Sequence, residues 1–333
     1  CISRQRSWGV PIPLFVSKQT GQPLQDAEVN KRILEAFAKD GSDAWYARPA
    51  KEFLGNTHKA EDYEQVFDVV DVWFDSGSTH AFVLKPGTQA DLYLEGSDQH
   101  RGWFHSSLLE SVGTRGHAPY KAVLTHGFVV DEKGYKMSKS TGNGVDPQTI
   151  IKEYGADVLR LFIVSADYAE DVRMGPALIK QQSESYRRLR NTLRYLLGAL
   201  AGYTPAERLE HKDMPQLEQY VLARLKEVEA TVQGALADYD FHRYFRAVHD
   251  FCATDLSAFY FDIRKDALYC DASDSVTRRA TRTVMEHLFT TLTAWLAPIL
   301  VFTAEEAWQE WKRMGGTGEE SVHLRNYPAL PAA

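Results

Sequence analysis

Cysteine is scarce in this sequence. Cys1, Cys252 and Cys270 are the only three in 333 residues, too few and too scattered for a disulfide framework or a zinc knuckle. That scarcity implies a reducing, cytoplasmic setting and no protein-bound zinc. Long apolar runs are missing too: the longest stretch, Leu292 to Phe302, is far short of a membrane span, so no membrane partner is expected. No signal peptide is visible, nor is there an excess of positive charge. The formal net charge is −7, which does not announce a nucleic-acid binder, yet phosphate contacts depend on local patches that a global sum conceals. An initiator Met is also lacking. The chain opens at Cys1 inside a run of basic and aromatic residues, as expected of the interior of a longer polypeptide.

What is present is ample for a folded protein. Hydrophobic residues make up 44% and charged residues 25%, the balance of a globular chain long enough for about two domains. The first half mixes short apolar runs with Gly and Pro. Asp91-Leu92-Tyr93-Leu94 and Ala122-Val123-Leu124 read as strands, with helical spacing from Trp103 to Val112 between them, the crossover unit of a parallel sheet. Residues 17–66 read as a polar insertion with one helix from Ala27 to Lys39. From Pro176 onward, apolar residues recur every three or four positions. Ile179 to Leu200 forms one amphipathic pattern and Leu217 to Leu236 a second. A third runs from about Phe241 to Ala267 and a fourth from Ser275 to Leu296; Pro298 interrupts, and Glu305 to Arg313 adds a short helix. Long helices with short connections make a bundle. The expected fold class is therefore α/β, a partial Rossmann-like parallel sheet over 1–175, followed by an all-α bundle over 176–333.

Three constellations carry chemistry. The first is Lys136-Met137-Ser138-Lys139-Ser140, preceded by Gly134 and followed by Thr141-Gly142-Asn143. Two lysines three apart on a glycine-flanked loop can neutralise phosphate oxygens and close over a triphosphate as pyrophosphate departs. A solvated surface loop has the same composition. The second is Glu95-Gly96-Ser97-Asp98-Gln99-His100-Arg101-Gly102-Trp103, where a strand ends and a helix begins. Ligands of open α/β sheets bind beyond the carboxyl ends of strands, so Glu95, Asp98 and Gln99 can accept from ribose hydroxyls or a substrate ammonium. Helix capping by Ser97 or Asp98 is the plainer account. The third is Asp71-Val72-Trp73-Phe74-Asp75-Ser76-Gly77, whose Trp73 is by default core packing.

These segments resemble the class I aminoacyl-tRNA synthetases. The pentapeptide Lys136 to Ser140 is identical to their signature loop, and the stretches around Glu95 and Trp73 are similar to the isoleucyl branch. The resemblance implies that Lys136 and Lys139 are catalytic, with Lys139 the principal ATP contact. It implies that Glu95, Asp98 and Gln99 line the adenylate pocket, and that Trp73 and Trp103 wall the slot for a branched aliphatic side chain. Thr125-His126-Gly127-Phe128 is similar to the strand end that holds adenine partly by backbone groups, with His126 a candidate contact. Cys1 to Pro13 resembles the re-entry into the catalytic core after the family's editing insertion. Tyr154-Gly155-Ala156-Asp157-Val158-Leu159-Arg160 resembles a joint between catalytic and helical parts, and Tyr239 to His242 with Phe259 to Asp262 resembles the helical anticodon-binding domain. On the first bundle helix, Lys180, Arg187, Arg190 and Arg194 lie roughly along one face, suited to tRNA phosphates or simply to water.

By this resemblance the substrates are isoleucine, ATP and tRNA, with Mg²⁺ accompanying ATP, and the parent is a monomer. The family's His-x-Gly-His motif does not occur in the sequence, nor does its editing domain. That domain exists because an apolar pocket separates ligands differing by one methylene poorly, isoleucine against valine being the standard illustration. The 333 residues alone are therefore expected to be incomplete for catalysis. Two alternatives stay open: another class I synthetase of valyl type, and a non-catalytic tRNA-binding module with a relic nucleotide fold.

Overall fold

The computed structural model describes residues 2–138 and 140–330. Contacts divide the chain into two units, Cys1–His126 and Gly127–Ala333.

In the first unit, β1 (Ser3–Arg4) pairs antiparallel with β4 (Val69–Val70), while β2 (Phe15–Ser17) pairs antiparallel with β3 (Tyr63–Gln65). Between β2 and β3 lie α1 (Ala27–Asp40), α2 (Ala44–Ala47) and α3 (Ala50–Leu54). This stretch lies within residues 17–66 and, with β2, encloses a small core. Phe15, Trp45 and Phe53 stack around Val29 and Ile33, with the Phe15 and Trp45 rings 5.0 Å apart edge to face. Asp26 caps α1, accepting from the Glu28 and Val29 amides, and His58 closes on its other oxygen at 2.7 Å. The sequence pattern showed only α1. The α2 and α3 helices have 4 and 5 residues, too short for a helical period to show.

Next come α4 (Val72–Gly77) and α5 (Thr79–Phe82), followed by the crossover unit. Strand β5 (Ala90–Gly96) runs parallel to β6 (Tyr120–His126), joined through α6 (Trp103–Arg115). The expected strand–helix–strand unit is present, each element longer than its apolar run. Register places Glu95 opposite Thr125 and Gly96 opposite His126, so both strands end at the same level.

The second unit opens with β7 (Val129–Val130), parallel to β8 (Val172–Arg173), and continues through α7 (Pro147–Tyr154) and α8 (Ala156–Ser165). The bundle follows: α9 (Pro176–Ala199), α10 (Gln216–Ala237), α11 (Phe241–Asp250), α12 (Phe261–Cys270), α13 (Val276–Leu296) and α14 (Val301–Arg313). Leu189, Leu193 and Leu196 meet Val221, Leu225 and Val232 in one core around α13, whose Val284, Leu288, Phe289 and Leu292 are fully buried. Between α11 and α12 the chain stays helical but widens to π turns over Phe251–Tyr260. Cys252, Leu256 and Tyr260, each four apart, are all buried in the core.

Glu218, in the first turn of α10, is fully buried, yet it is completely partnered. Arg264 grips it with two bonds of 2.7 and 2.8 Å, and Tyr260 Oη and Thr281 Oγ1 donate at 3.1 and 3.3 Å. Asp157, from the segment expected to be a joint, accepts from the amides of Phe302 and Thr303 and from Thr303 Oγ1, capping α14, while Arg160 donates to the Pro298 and Ile299 carbonyls. The helix resumes after Pro298 at Val301, four residues earlier than the apolar pattern indicated. No described helix is long and apolar enough to cross a membrane.

Candidate active site

The residues expected to handle the adenylate fall on both units. In the first, Glu95 is exposed at the carboxyl end of β5. The chain then makes a 3₁₀ turn over Ser97–Arg101, which delays the start of α6 to Trp103. That delay overturns the capping account. Neither Ser97 nor Asp98 caps the helix; Gln99 does, its Oε1 accepting from the Trp103 amide at 3.0 Å while its Nε2 donates to Asp98 at 3.2 Å. Gly102 is buried at the junction because nothing larger fits: a Cβ there would lie 2.5 Å from Gln99 Oε1 and 3.3 Å from the Trp73 ring. The glycine thus brings Trp73 and Gln99 together over one peptide.

Trp73 is 45% exposed on the first turn of α4, whose N-cap Asp71 accepts from the Trp73 amide. Trp103 is more committed. Its ring stacks on Tyr93 at 4.2 Å and 11°, and its Nε1 donates to the Ser76 carbonyl at 2.9 Å, tying α6 to α4. Tyr93 in turn meets Ser107 through its hydroxyl. The two indoles lie on adjoining helices, one open to solvent and one built into the packing.

A cavity of about 680 Å³ runs between α4 and α6, lined by Trp73, Phe74, His105, Leu109 and Glu110 among others. Glu95, Asp98, Gln99 and Trp103 do not line it. Its feature is Glu110, whose Oε1 is buried without a hydrogen-bond partner, as is the nearby Ser76 Oγ. Burial, assisted by the charge of Asp75, pushes the Glu110 carboxyl up to about 7. Nothing in the sequence around Glu110 signalled this, because it depends on Gly77 packing against that carboxylate.

In the second unit, Gly127 follows directly on β6. Its amide donates to the Tyr168 carbonyl at 2.8 Å, and that of Phe128 to Asp171 at 2.8 Å, so a ligand at this strand end would meet carbonyls rather than these donors. A Cβ at Gly127 would lie 2.4 Å from the Glu170 carbonyl oxygen, which makes glycine obligatory for the close approach. His126 is half-buried at the end of β6.

The lysine loop projects from β7 and is bracketed at both ends. Asp131 turns the chain: its Oδ1 accepts from the Lys133 and Tyr135 amides, with Gly134 at φ +87°. From the far end, Asn143 donates to Asp131 Oδ2 at 2.9 Å and to the Lys136 carbonyl at 3.2 Å, and its Oδ1 accepts from the Ser138 amide and Thr141 Oγ1. Asn143 and the Asp131-derived turn amides hold the Asp131 carboxyl below its usual range. Glu132 accepts from the Ala177 amide in the first turn of α9, anchoring the base of the loop. The Lys136 side chain is exposed, and its ammonium has no hydrogen-bond or ion-pair partner among the described residues. Lys139 lies outside the described residues. The brace had no separate signal in the sequence: two polar residues twelve apart become a pair only when the loop closes.

Of the basic stripe on α9, Arg190 is spent on Glu306, with bonds of 2.7 and 3.1 Å, and Arg187 on Glu184 at 3.3 Å. Arg194 lines a groove between α9 and α14 with Glu306, Glu310 and Arg313, and Lys180 is exposed. Among the described residues no three His, Cys, Asp or Glu side chains converge as a metal cage.

Residues 1–175 match the family described as tRNA synthetases class I (I, L, M and V), and residues 218–333 match the anticodon-binding domain of tRNA ligase. The isoleucine–tRNA ligase of Gluconobacter oxydans (strain 621H) is 58% identical over 330 residues, covering 98% of this chain. That of Ruegeria pomeroyi is 55% identical over 345 residues, covering all of it. The chain belongs to the class I tRNA synthetases, the I, L, M and V family. It spans about a third of the length of these relatives, 34% and 35% respectively. The fold is shared with more distant members. The LeuRS of Agrobacterium radiobacter K84, determined in a ternary complex with tRNA and LeuAMS, superposes with a TM-score of 0.71 at 18% identity, over 99% of this chain and 42% of that one. The methionyl-tRNA synthetase of Mycobacterium tuberculosis, bound by methionyl-adenylate, does so at 0.59 and 16% identity, over 88% of this chain and 65% of that one.

Proposed function

We propose that the protein carrying this chain joins isoleucine to its tRNA, and that these 333 residues supply the lysine loop, the acidic strand tip and the helical anticodon-binding part. The isoleucine carboxylate attacks the α-phosphate of ATP and pyrophosphate leaves. A terminal ribose hydroxyl of the tRNA then attacks the adenylate carbonyl and AMP leaves. No covalent bond to the enzyme is needed, so catalysis rests on positioning and on charge stabilisation.

In this reading Lys136 and Lys139 neutralise charge on the departing pyrophosphate, with Mg²⁺ arriving on the ATP. Glu95 and Asp98 face the ribose or the substrate ammonium. Gln99 orders that turn by capping α6, and His126 with the Gly127 carbonyl borders the adenine. Trp73 offers an apolar wall to the isoleucine side chain, while Trp103 supports that wall by its bond to the Ser76 carbonyl of α4. Lys180 and Arg194 remain as tRNA phosphate contacts; Arg187 and Arg190 would first have to leave their carboxylates, which lowers their standing. The protein works as a monomer in the cytoplasm. The domain division at 175/176 is part of the same reading.

The observation that carries it is the Asp131–Asn143 brace, which holds a lysine-bearing loop in shape with the Lys136 ammonium turned to solvent. Isoleucine-dependent exchange of pyrophosphate into ATP tests it. The full-length protein is expected to catalyse the exchange and Lys136→Ala to reduce it strongly; the 333 residues alone are expected to show none, since no His-x-Gly-His element occurs in them. Exchange that ignores isoleucine would overturn the assignment, and robust turnover by the isolated chain would overturn its incompleteness.

A further inference from the structure

Among the described residues, Tyr239 is the only non-glycine with positive φ, at +56°. A side chain in the left-handed region is disfavoured and persists where neighbours over-determine it. Here the neighbours can be named. Tyr239 makes the turn from α10 to α11, where the Asp240 amide returns to Ala235 O at 2.8 Å and the Asp240 carboxylate caps α11 through the Arg243 amide. The carbonyl of Tyr239 points outward and accepts the Tyr168 hydroxyl at 2.5 Å, while the Tyr168 ring packs on Phe241 with centroids 5.8 Å apart.

The other end of Tyr168 is engaged just as closely. Its backbone carbonyl takes the Gly127 amide, Asp171 takes the Phe128 amide, and Val172 N donates back to Phe128 O at 2.8 Å. The segment from Tyr168 to Arg173 is thus laid along Gly127–Val130, the stalk from which the lysine loop projects. The missing Cβ of Gly127 lets the two backbones touch. Burial, with Asp240 and Asp167 nearby, raises the Tyr168 phenol, so its hydroxyl stays a donor at ordinary pH.

We propose that Tyr168 is a positioning residue: through it the α10–α11 turn of the bundle holds the strand end Gly127–Val130, and with it the base of the lysine loop. Its side chain belongs to the bundle and its backbone to the stalk, so a shift of the turn is passed on by one rigid residue. The effect on ATP rests on the function proposed above; the mechanical link does not.

The test is Tyr168→Phe in the full-length protein, which keeps the ring against Phe241 and deletes only the hydroxyl. Amide hydrogen exchange at residues 127–131 and at 239–243 is expected to quicken together, about tenfold, while α13 is unchanged. In pyrophosphate exchange the KM for ATP is expected to rise about fivefold with the KM for isoleucine held within about twofold. Unchanged exchange at 127–131 overturns the proposal, and so does a uniform loosening that includes α13, which would mark a role in stability alone. If the wild-type protein gives no isoleucine-dependent turnover, the ligase reading fails, and the amide measurement still decides the link.

Discussion

Asn143 reaches back across the lysine loop to Asp131, Nδ2 to Oδ2 at 2.9 Å, and with its remaining atoms holds the Lys136 carbonyl, the Ser138 amide and the Thr141 hydroxyl. A single amide side chain thus satisfies donors and acceptors that would otherwise be left to water, and the loop between them is shaped before any ligand arrives. Preorganisation of this kind lowers a barrier because little reordering remains to be done when charge develops.

Replacing Asn143 with Ala is therefore expected to slow pyrophosphate exchange by the full-length protein about tenfold, as the loss of roughly 1.4 kcal/mol of transition-state stabilisation would. The KM for isoleucine should not move, since the brace touches only the loop. Steady-state kinetics with each substrate varied in turn check it; a rate within twofold of wild type would remove the brace from the mechanism.

Gly127→Ala tests the close approach beneath that loop. The added methyl would meet the Glu170 carbonyl at 2.4 Å, and both partners are backbone, so neither can swing aside. A cost of about 1–3 kcal/mol is expected, the usual range for overpacking. Thermal melting against wild type measures it, and an unchanged midpoint would show that the Gly127–Glu170 contact is not as tight as described.

Glu110 predicts a pH dependence. Its carboxyl is raised from 4.5 to about 7, so the folded state binds the proton more tightly than the unfolded state. The sign follows: the group costs nothing below pH 4.5, and its penalty grows as pH rises towards 7 and is complete above it. Glu110→Gln, neutral throughout, should raise the melting midpoint of this chain at pH 8 and leave it unchanged at pH 4. A variant equally stabilised at both values would exclude titration as the cause.

The Glu218–Arg264 pair makes the sharpest stability prediction. Arg264→Leu leaves a carboxylate with no exposure and no counter-charge, a change expected to cost about 3–5 kcal/mol. Urea unfolding reads this directly. A loss under about 1 kcal/mol would mean that Tyr260 and Thr281 suffice to hold the charge.

Much of this protein was legible from local pattern. The family lay in contiguous runs, Lys136 to Ser140 and Glu95 to Trp103, because residues that touch one ligand atom set from one loop or one strand tip must be neighbours in sequence. The crossover unit and α9, α10 and α13 were legible because helical and strand periods are properties of a few turns. The π turns of Phe251–Tyr260 were not, since their wider period looks helical until the core they fill is in place.

The rest required the third dimension. That Arg187 and Arg190 are occupied, that Gln99 and not Ser97 caps α6, and that Trp103 is committed to Tyr93 are facts about partners supplied by geometry. Glu110 has a perturbed carboxyl only because packing withdraws it from water, and Tyr168 links Gly127 to Tyr239 only because the chain returns to the same place after 71 residues. Sequence alone determined which chemistry the residues could do and which periods the chain could take up. Burial and long-range contact, which carry the free energy, decided which of those residues remain available to do it.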